Sequence, residues 1–459
     1  MKKFNICLFH YIANFTDGVS LEMNKWKKVL EEMGHTVHTC AGKFGSNEDF
    51  LVEEMYHHRP ESRLLNFNTF KALKDYKTET IYRSELYRIA GIIEDKIQAI
   101  ISKNKINLLI PQNVWSVAAN PAVSIALTDI MRKNKIPALA HNHDFYFERI
   151  DGYSLTCSTA AELVDLYYPP RDKFARHVVI NSLAQDQLLQ RKGILSTVVP
   201  NTFDFEGGAW QSDDYNIDFR QRIGLDENDI FILQATRIVT RKGIELAIDF
   251  VKALNSKDRR KKFIERGLYD GRNFSENNRI VLVLAGYSID DVTGRYKDLL
   301  YRKSKDLGIE AIFIEDMVGE RRKKSGEHKI YSLWDTYVYS DLITYPSLWE
   351  GWGNQLLEAI KAKKPLVLFE YPVYVADIKD KGLKTISLGN EIHGRDERGL
   401  VTLNSHVINA AADEAVDLLT FNDLRQDVVE NNFKVGKKHF SLDALYIYLE
   451  YLLNALTQE

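Results

Sequence analysis

Glu350 and Glu358 stand on either side of a turn that carries Gly351 and Gly353, with Asn354 leading from the second glycine into an apolar helical run. A carboxylate accepts hydrogen bonds from vicinal hydroxyls, and both a ribose and a hexose offer such a pair. Ahead of the turn, Asp341-Leu342-Ile343-Thr344 reads as a short buried strand that stops at Pro346. Behind it, Leu356, Leu357, Ile360 and Ala362 recur at helix spacing. Strand, glycine turn and helix together make a place where bare backbone amides face an anion. Two isolated glutamates would ordinarily be solvated. The glycines and the preceding strand reverse that reading, placing Glu358 about one turn inside the helix and Glu350 beyond its mouth.

A second group of chemically capable residues is cationic. Arg237, Arg241 and Lys242 lie in the turn between an apolar strand, Ile230 to Ala235, and a helix marked by Leu246, Ile248, Val251 and Leu254. Such a cluster with a helix N-terminus behind it would neutralise a diphosphate. The whole chain carries a formal charge of −3, so this local concentration of positive charge is informative.

A third group is His141-Asn142-His143-Asp144-Phe145, directly after the strand Ile136 to Ala140. Ligands of open parallel sheets sit beyond the carboxyl ends of strands, where these residues fall. Two histidines one residue apart beside an aspartate suggest a metal, but no third strong ligand stands near them. Hydrogen-bonded strand-end histidines, or a sugar contact, are the other readings.

The elements that must position these groups follow an α/β order. Phe4 to Phe9 reads as a strand, Ala13 to Ser20 as a polar loop containing Gly18, and Trp26, Val29, Leu30 and Met33 as one face of a helix that ends at Gly34. His35 to Cys40 starts the next strand, which is the opening of a doubly wound domain. A helical pattern from Tyr82 to Lys103 leads to a strand at Ile106 to Pro111, and further strands fall at His177 to Ser182 and Thr197 to Asn201. The Gly- and Asp-rich stretch Phe205 to Asp218 reads as a linker holding the hinge. In the second half, Asn255 to Arg279 reads as an exposed charged insertion. Strands run to Gly286 and from Ala311 to Val318, another spans Pro365 to Glu370, and amphipathic helices fill the chain from about Ala411 to Leu456. A length of 459 residues suggests two or three domains, here placed at 1–200 and 201–436 with a last helix over 437–459.

Composition narrows the classes. With 45% hydrophobic and 27% charged residues the chain reads as soluble and globular, and its charge gives no general attraction to nucleic acid or to an acidic membrane. Cys7, Cys40 and Cys157 are too few and too scattered for a disulfide framework or a zinc site. No apolar run reaches membrane-spanning length and the N-terminus lacks a signal-peptide pattern, so a cytoplasmic protein is expected.

The run Pro346-Ser347-x-x-Glu350-Gly351-Trp352-Gly353, followed by Leu357-Glu358-Ala359, resembles the E-x7-E signature of the retaining glycosyltransferases of family 4. Their GT-B fold is an α/β architecture of two doubly wound Rossmann-like domains facing across a cleft. Trp352 stands where that family usually has Phe, and Lys363-Lys364-Pro365 replaces the usual glycine after the helix. Arg237 with Lys242-Gly243 resembles the R-x4-K-G motif, His143-Asp144-Phe145 the H-D-F strand end, and Pro200-Asn201 the step between domains. Gly18 matches the loop glycine near the donor phosphates, without its usual glycine neighbour.

The resemblance implies roles. Arg237 and Lys242 would hold the leaving diphosphate together with the amides of Gly351, Trp352, Gly353 and Asn354. Glu358 would hold the ribose, Glu350 the hexose, and His143 with Asp144 would lie beside that hexose. Gly286 would close a strand near the nucleotide, Val318 would meet the base through its backbone, and the last helix would brace the first domain. Arg241 matches no reserved position.

The implied reaction moves a hexose, glucose or mannose, from a UDP- or GDP-hexose to the hydroxyl of a small soluble sugar or glycoside, with retention. The acceptor would lie against the loops Lys43 to Tyr76 and Phe145 to Tyr168. No tightly bound cofactor and no metal would be needed, since side chains supply the cations, and a homo-oligomer is compatible with this reading. A disaccharide phosphorylase, a GT-B nucleotide-sugar epimerase and a two-domain sugar-binding protein are the alternatives.

Overall fold

The computed structural model describes residues 2–148, 154–286, 294–326 and 328–456. The chain divides into two compact units, one made of Met1–Thr202 with Leu442–Glu459 and the other of Phe203–Ser441. Among the described residues no helix is long and apolar enough to cross a membrane.

The first unit is built on seven strands: β1 (Asn5–His10), β2 (Thr36–Ala41), β3 (Phe50–Leu51), β4 (Leu108–Pro111), β5 (Ala138–Asn142), β6 (Ala175–Val179) and β7 (Ser196–Val198). All pair in parallel, in the order β3-β2-β1-β4-β5-β6-β7. Parallel strands are covered on both faces, which is why β1 and β4 read as unbroken apolar runs. Tyr82, Leu86, Ile93 and Ile97 of the helix Glu79–Asn104 and Ile125 and Ile130 of the helix Pro121–Asn134 cover one face. Trp26, Val29 and Leu30 of the helix Gly18–Glu32 cover the other, and pack with Leu445, Leu449 and Leu453 of the last helix, Leu442–Ala455. Burial of each such side chain stabilises by about 1.5–3 kcal/mol, and Trp26→Ala would cost about 3–5 kcal/mol.

The second unit has a six-stranded sheet whose members are β8 (Ile230–Gln234), β9 (Ile280–Leu284), β10 (Glu310–Phe313), β14 (Leu342–Tyr345), β15 (Leu366–Leu368) and β16 (Ile386–Ser387). They are again all parallel, in the order β10-β9-β8-β14-β15-β16. The intervening β11 (Val318–Gly319), β12 (Lys323–Ser325) and β13 (His328–Ser332) form a separate small sheet, and β17 (Gly394–Arg395) pairs with β18 (Val401–Thr402). Leu246, Phe250, Val251 and Leu254 of the helix Ile244–Leu254 pack with Ala412, Val416 and Leu419 of the helix Ser405–Thr420 over this sheet.

Four expectations about elements are corrected. The segment Asn255 to Arg279 is not an exposed insertion. It contains the helix Lys257–Arg266, which buries Phe263 and ties Arg259 to Asp413 at 3.0 Å and to the Asn409 backbone carbonyl at 3.0 Å. The Gly- and Asp-rich stretch Phe205 to Asp218 is not a free linker, because Phe205 is buried, Trp210 stacks on Trp334 at 4.5 Å, and Asn216 donates to Asp335 at 2.9 Å. The strand expected to run to Val318 ends at Phe313, and Val318 pairs instead with Tyr331 in the small sheet. His141 lies within β5, not beyond it.

Candidate active site

In each sheet the strand order reverses at one place, between β1 and β4 in the first unit and between β8 and β14 in the second. Loops leaving the carboxyl ends of strands on either side of such a reversal diverge and open a crevice. The loops after β8 and β14 are those bearing Arg237 to Gly243 and Pro346 to Gly353.

These two loops are fastened to each other. The Leu348 amide donates to the Arg241 carbonyl at 2.9 Å. Gly243 has φ +55°, and a Cβ there would stand 2.4 Å from the Pro346 carbonyl oxygen, so both conformation and space require glycine. Glu350 sits at the fastening, only 7% exposed. It accepts from the Lys242 ammonium and, at 3.0 Å, from Arg241 Nη1, which also reaches the Trp349 carbonyl at 3.1 Å. Burial raises the Glu350 pKa, but Lys242 and Arg241 outweigh it and hold the carboxyl below its ordinary value. Burial lowers that of Lys242, with Glu350 opposing. The result is a fixed, ionised carboxylate. Lys242 has three N–H donors and gives one to Glu350.

Gly353 begins the helix Asn354–Lys361 with φ +116°, and a Cβ on it would stand 2.1 Å from Tyr371 Oη. Tyr371 donates to the Trp352 carbonyl at 2.8 Å, which pins the turn. With glycine at the cap, this helix has no capping side chain of its own. Glu358, one turn in, accepts a 2.7 Å hydrogen bond from buried Tyr337. Gly286 lies against the other loop, where a Cβ would fall 1.6 Å from the Thr236 carbonyl oxygen.

Lys242, Glu350, the Gly351 to Asn354 turn and Glu358 are thus gathered at the end of β14, with Gly286 against the start of the Arg237 loop. The Arg237 side chain is exposed. Val318 is not on either loop. The helix Ile244–Leu254 does not offer the open N-terminus expected behind the cations: the Ile244 amide donates to Tyr296 Oη at 3.0 Å, and Tyr296 in turn donates to Glu245.

In the first unit, Asn113 organises the residues around the β1/β4 reversal. Its side chain accepts from the His143 amide at 3.0 Å and donates to Asp144 Oδ1 at 2.6 Å. Gln112 Oε1 lies 2.9 Å from His141 Nδ1 and 3.3 Å from His143 Nε2, and the Gln112 carbonyl lies 2.6 Å from His10 Nδ1. Burial first, then His10 and Lys25, pulls the His143 pKa down to about 3, so its ring is neutral at working pH. His141 is stacked on Trp26 at 4.1 Å, in keeping with a structural role. Among the described residues no group of three or more His, Cys, Asp or Glu side chains could hold a metal ion. Asp17 accepts from the Val19 and Ser20 amides at 3.1 and 3.0 Å, which leaves exposed Gly18 at the start of its helix with those two amides already engaged.

Sequence reasoning missed three residues. Arg241 was passed over because its neighbour Lys242 fitted the motif, although adjacent cations were the available signal. Tyr337 and Asn113 carried none, since their partners lie on other elements.

A model of the family described as "Glycosyl transferases group 1" matches residues 216–434. The chain is 38% identical to the mannosylglucosylglycerate synthase of Petrotoga mobilis over 90% of its own length and 93% of that protein. It is 37% identical to the mannosylglucosylglycerate synthase of Thermotoga maritima, covering 96% and 97% of the two chains. A glycosyltransferase structure from Rickettsia africae superposes with a TM-score of 0.62 at 13% identity, covering 100% of each chain, which speaks for the fold alone. Two Rossmann-like units of the GT-B type, and relatives this similar over nearly the whole length, lead to one conclusion: the chain is a glycosyltransferase and belongs to the glycosyl transferases group 1 family.

Proposed function

We propose that this enzyme makes mannosylglucosylglycerate by transferring mannose, with retention, from a nucleotide diphosphate mannose to a hydroxyl of glucosylglycerate. The observation that carries this reading is the identity of 37–38% to two synthases of that product across at least nine-tenths of the chain.

Breaking the bond from the anomeric carbon to the diphosphate leaves its electron pair on a phosphate oxygen. Arg237, the unused donors of Lys242 and the Gly351 to Asn354 amides stabilise that charge where it develops. The acceptor oxygen bonds to the anomeric carbon on the face the diphosphate leaves, and its proton passes to the departing phosphate oxygen. Glu350 takes hexose hydroxyls and Glu358 ribose hydroxyls, which fixes orientation before the bond breaks. His143 is a neutral hydrogen-bonding partner for the sugar. Because side chains meet the diphosphate charge, no divalent ion is needed and turnover persists in EDTA. Three free thiols fit a cytoplasmic protein.

The test incubates the full chain with GDP- or UDP-mannose, or the corresponding glucose donors, and glucosylglycerate. Product is followed by mass, and the new anomeric linkage by its one-bond carbon–proton coupling. Transfer of mannose with retained configuration supports the reading. Phosphate-dependent release of a sugar phosphate, an epimerised donor formed without acceptor, or no transfer to glucosylglycerate from any of the four donors overturns it.

A further inference from the structure

Several cations of the first unit hold carboxylates. Arg59 faces Glu53, Glu54 and Glu61 at 3.5–3.9 Å, and Lys96 meets Glu54 at 2.7 Å. Lys43 and Arg63 do not. Lys43 Nζ lies over the rings of Tyr56 and Phe15, 5.2 and 6.0 Å from their centroids, and Arg63 Nη2 donates to His58 Nδ1 at 3.2 Å. Neither has a carboxylate within ion-pair distance among the described residues. The His58 ring feels both positive charges. An imidazole nitrogen that accepts from a guanidinium carries no proton, so the His58 N–H is on Nε2. An ammonium, a guanidinium fork and a ring N–H therefore lie near one another, with neither cation ion-paired among the described residues. Gathering such donors costs repulsion, which an anion relieves.

The cluster adjoins the strand-order reversal. His58 packs on His57 with centroids 4.0 Å apart, His57 on Tyr11 at 5.4 Å, and Tyr11 on His10 at 5.2 Å. His57 Nδ1 is buried with no hydrogen-bond partner among the described residues. The backbone around Lys43 is fixed to the loop after β1: the Ala13 amide donates to the Lys43 carbonyl at 2.9 Å and the Gly45 amide to the Ala13 carbonyl at 2.9 Å. A Cβ on Gly42 would stand 2.0 Å from the Tyr56 amide nitrogen, so the segment bearing Lys43 is pressed against the one bearing His57 and His58.

We propose that Lys43, His58 and Arg63 form an anion subsite that takes the carboxylate of the acceptor's glycerate end and makes the enzyme selective for a charged acceptor. This rests on the acceptor assigned above. A carboxylate suits the site because Arg63 can offer two parallel N–H groups to its two oxygens and Lys43 neutralises the single charge.

The test compares kcat/KM for glucosylglycerate with that for glucosylglycerol, in which a hydroxymethyl group replaces the carboxylate, in the wild type and in K43A, R63A and R63K. A charge-assisted contact predicts that the preference for the charged acceptor falls roughly 10- to 100-fold in K43A and R63A, with part of it restored in R63K. Equal losses on both acceptors, or an unchanged preference, overturn the proposal. Should the wild type use neither acceptor, the acceptor assignment fails and the subsite is judged by titrating D-glycerate and inorganic phosphate against the His58 ring resonances. A glycerate-dependent shift that R63A abolishes upholds the subsite. A response to phosphate alone, or to neither anion, removes it.

Discussion

Tyr337 and Glu358 are joined by a 2.7 Å hydrogen bond from a wholly buried phenol to a half-buried carboxylate. The phenol is itself held beside Trp210, 5.7 Å between ring centroids, so the carboxylate is aimed by a rigid partner. Orientation of this kind matters most where a ligand must be met at a set angle.

Y337F removes that donor from Glu358. If Glu358 holds the ribose, KM for the donor rises about tenfold, consistent with the ~1.5 kcal/mol of a hydrogen bond to a charged group. E358A weakens donor binding at least as much. Calorimetric titration with the nucleotide sugar checks both, and unaltered affinity in E358A would take Glu358 out of the site.

K242A leaves Arg241 as the remaining cation beside the buried Glu350 carboxylate. Loss of one partner from a buried pair costs about 3–5 kcal/mol, and, if Lys242 meets the leaving group as proposed, its loss lowers kcat by roughly 10²–10³. Denaturant unfolding and single-turnover rates separate the two effects. Near-normal turnover would remove Lys242 from the chemistry.

Glu350 also sets an acid limit. Its folded pKa lies below its unfolded value of about 4.3. The stability it contributes is therefore fully present above that value and disappears as pH falls through the folded one. The melting-temperature gap between wild type and E350Q should be widest near neutrality and narrow as the pH falls below the unfolded value. A gap independent of pH would show that the ion pair contributes nothing.

Buried histidines act at higher pH. His57 and His177 are pulled to about 4 and His143 to about 3, chiefly by burial, while in the unfolded chain each titrates near 6.5. Between those limits the unfolded state binds more protons, so stability falls as pH drops below about 6.5 and the loss is complete only below the folded values. Guanidinium midpoints measured at pH 7.5, 6.5 and 5.5 should fall by amounts worth several kcal/mol over the lowest unit. Nitrogen-detected titration of the His143 ring should show no inflection above about pH 4.

G353A tests the turn at the helix mouth. The positive φ and the 2.1 Å approach of Tyr371 Oη both oppose a side chain, so donor binding is lost together with about 1–3 kcal/mol of stability. Y371F in the same chain removes the obstructing oxygen and restores part of the stability. Equal melting temperatures for single and double variants would mean the obstruction is not what matters.

Much of this was legible in the sequence for a physical reason. β1, β8 and β14 are covered on both faces, so they appear as apolar runs without alternation, and the glycines at 351 and 353 marked the turn that must follow. What escaped depends on distant partners. Tyr337 reaches Glu358 from another helix, and Asn113 clamps His143 and Asp144 from the end of another strand. The stretch Asn255 to Arg279 misled because its many charges hide two anchors, Phe263 and Phe274, whose rings meet at 5.5 Å. The stretch Phe205 to Asp218 misled similarly, since glycines and aspartates suggested freedom while Phe205 and Trp210 supplied fixed attachment points.

The second unit is one uninterrupted piece of chain, Phe203 to Ser441, whose two ends pair with each other: Phe203 and Ser441 form a bridge, and the Phe203 amide donates to the Phe440 carbonyl at 2.7 Å. A cassette that begins and finishes at the same spot can be exchanged for a homologous one by cutting only there. Evolution could accordingly replace this whole unit while the first unit kept its own frame.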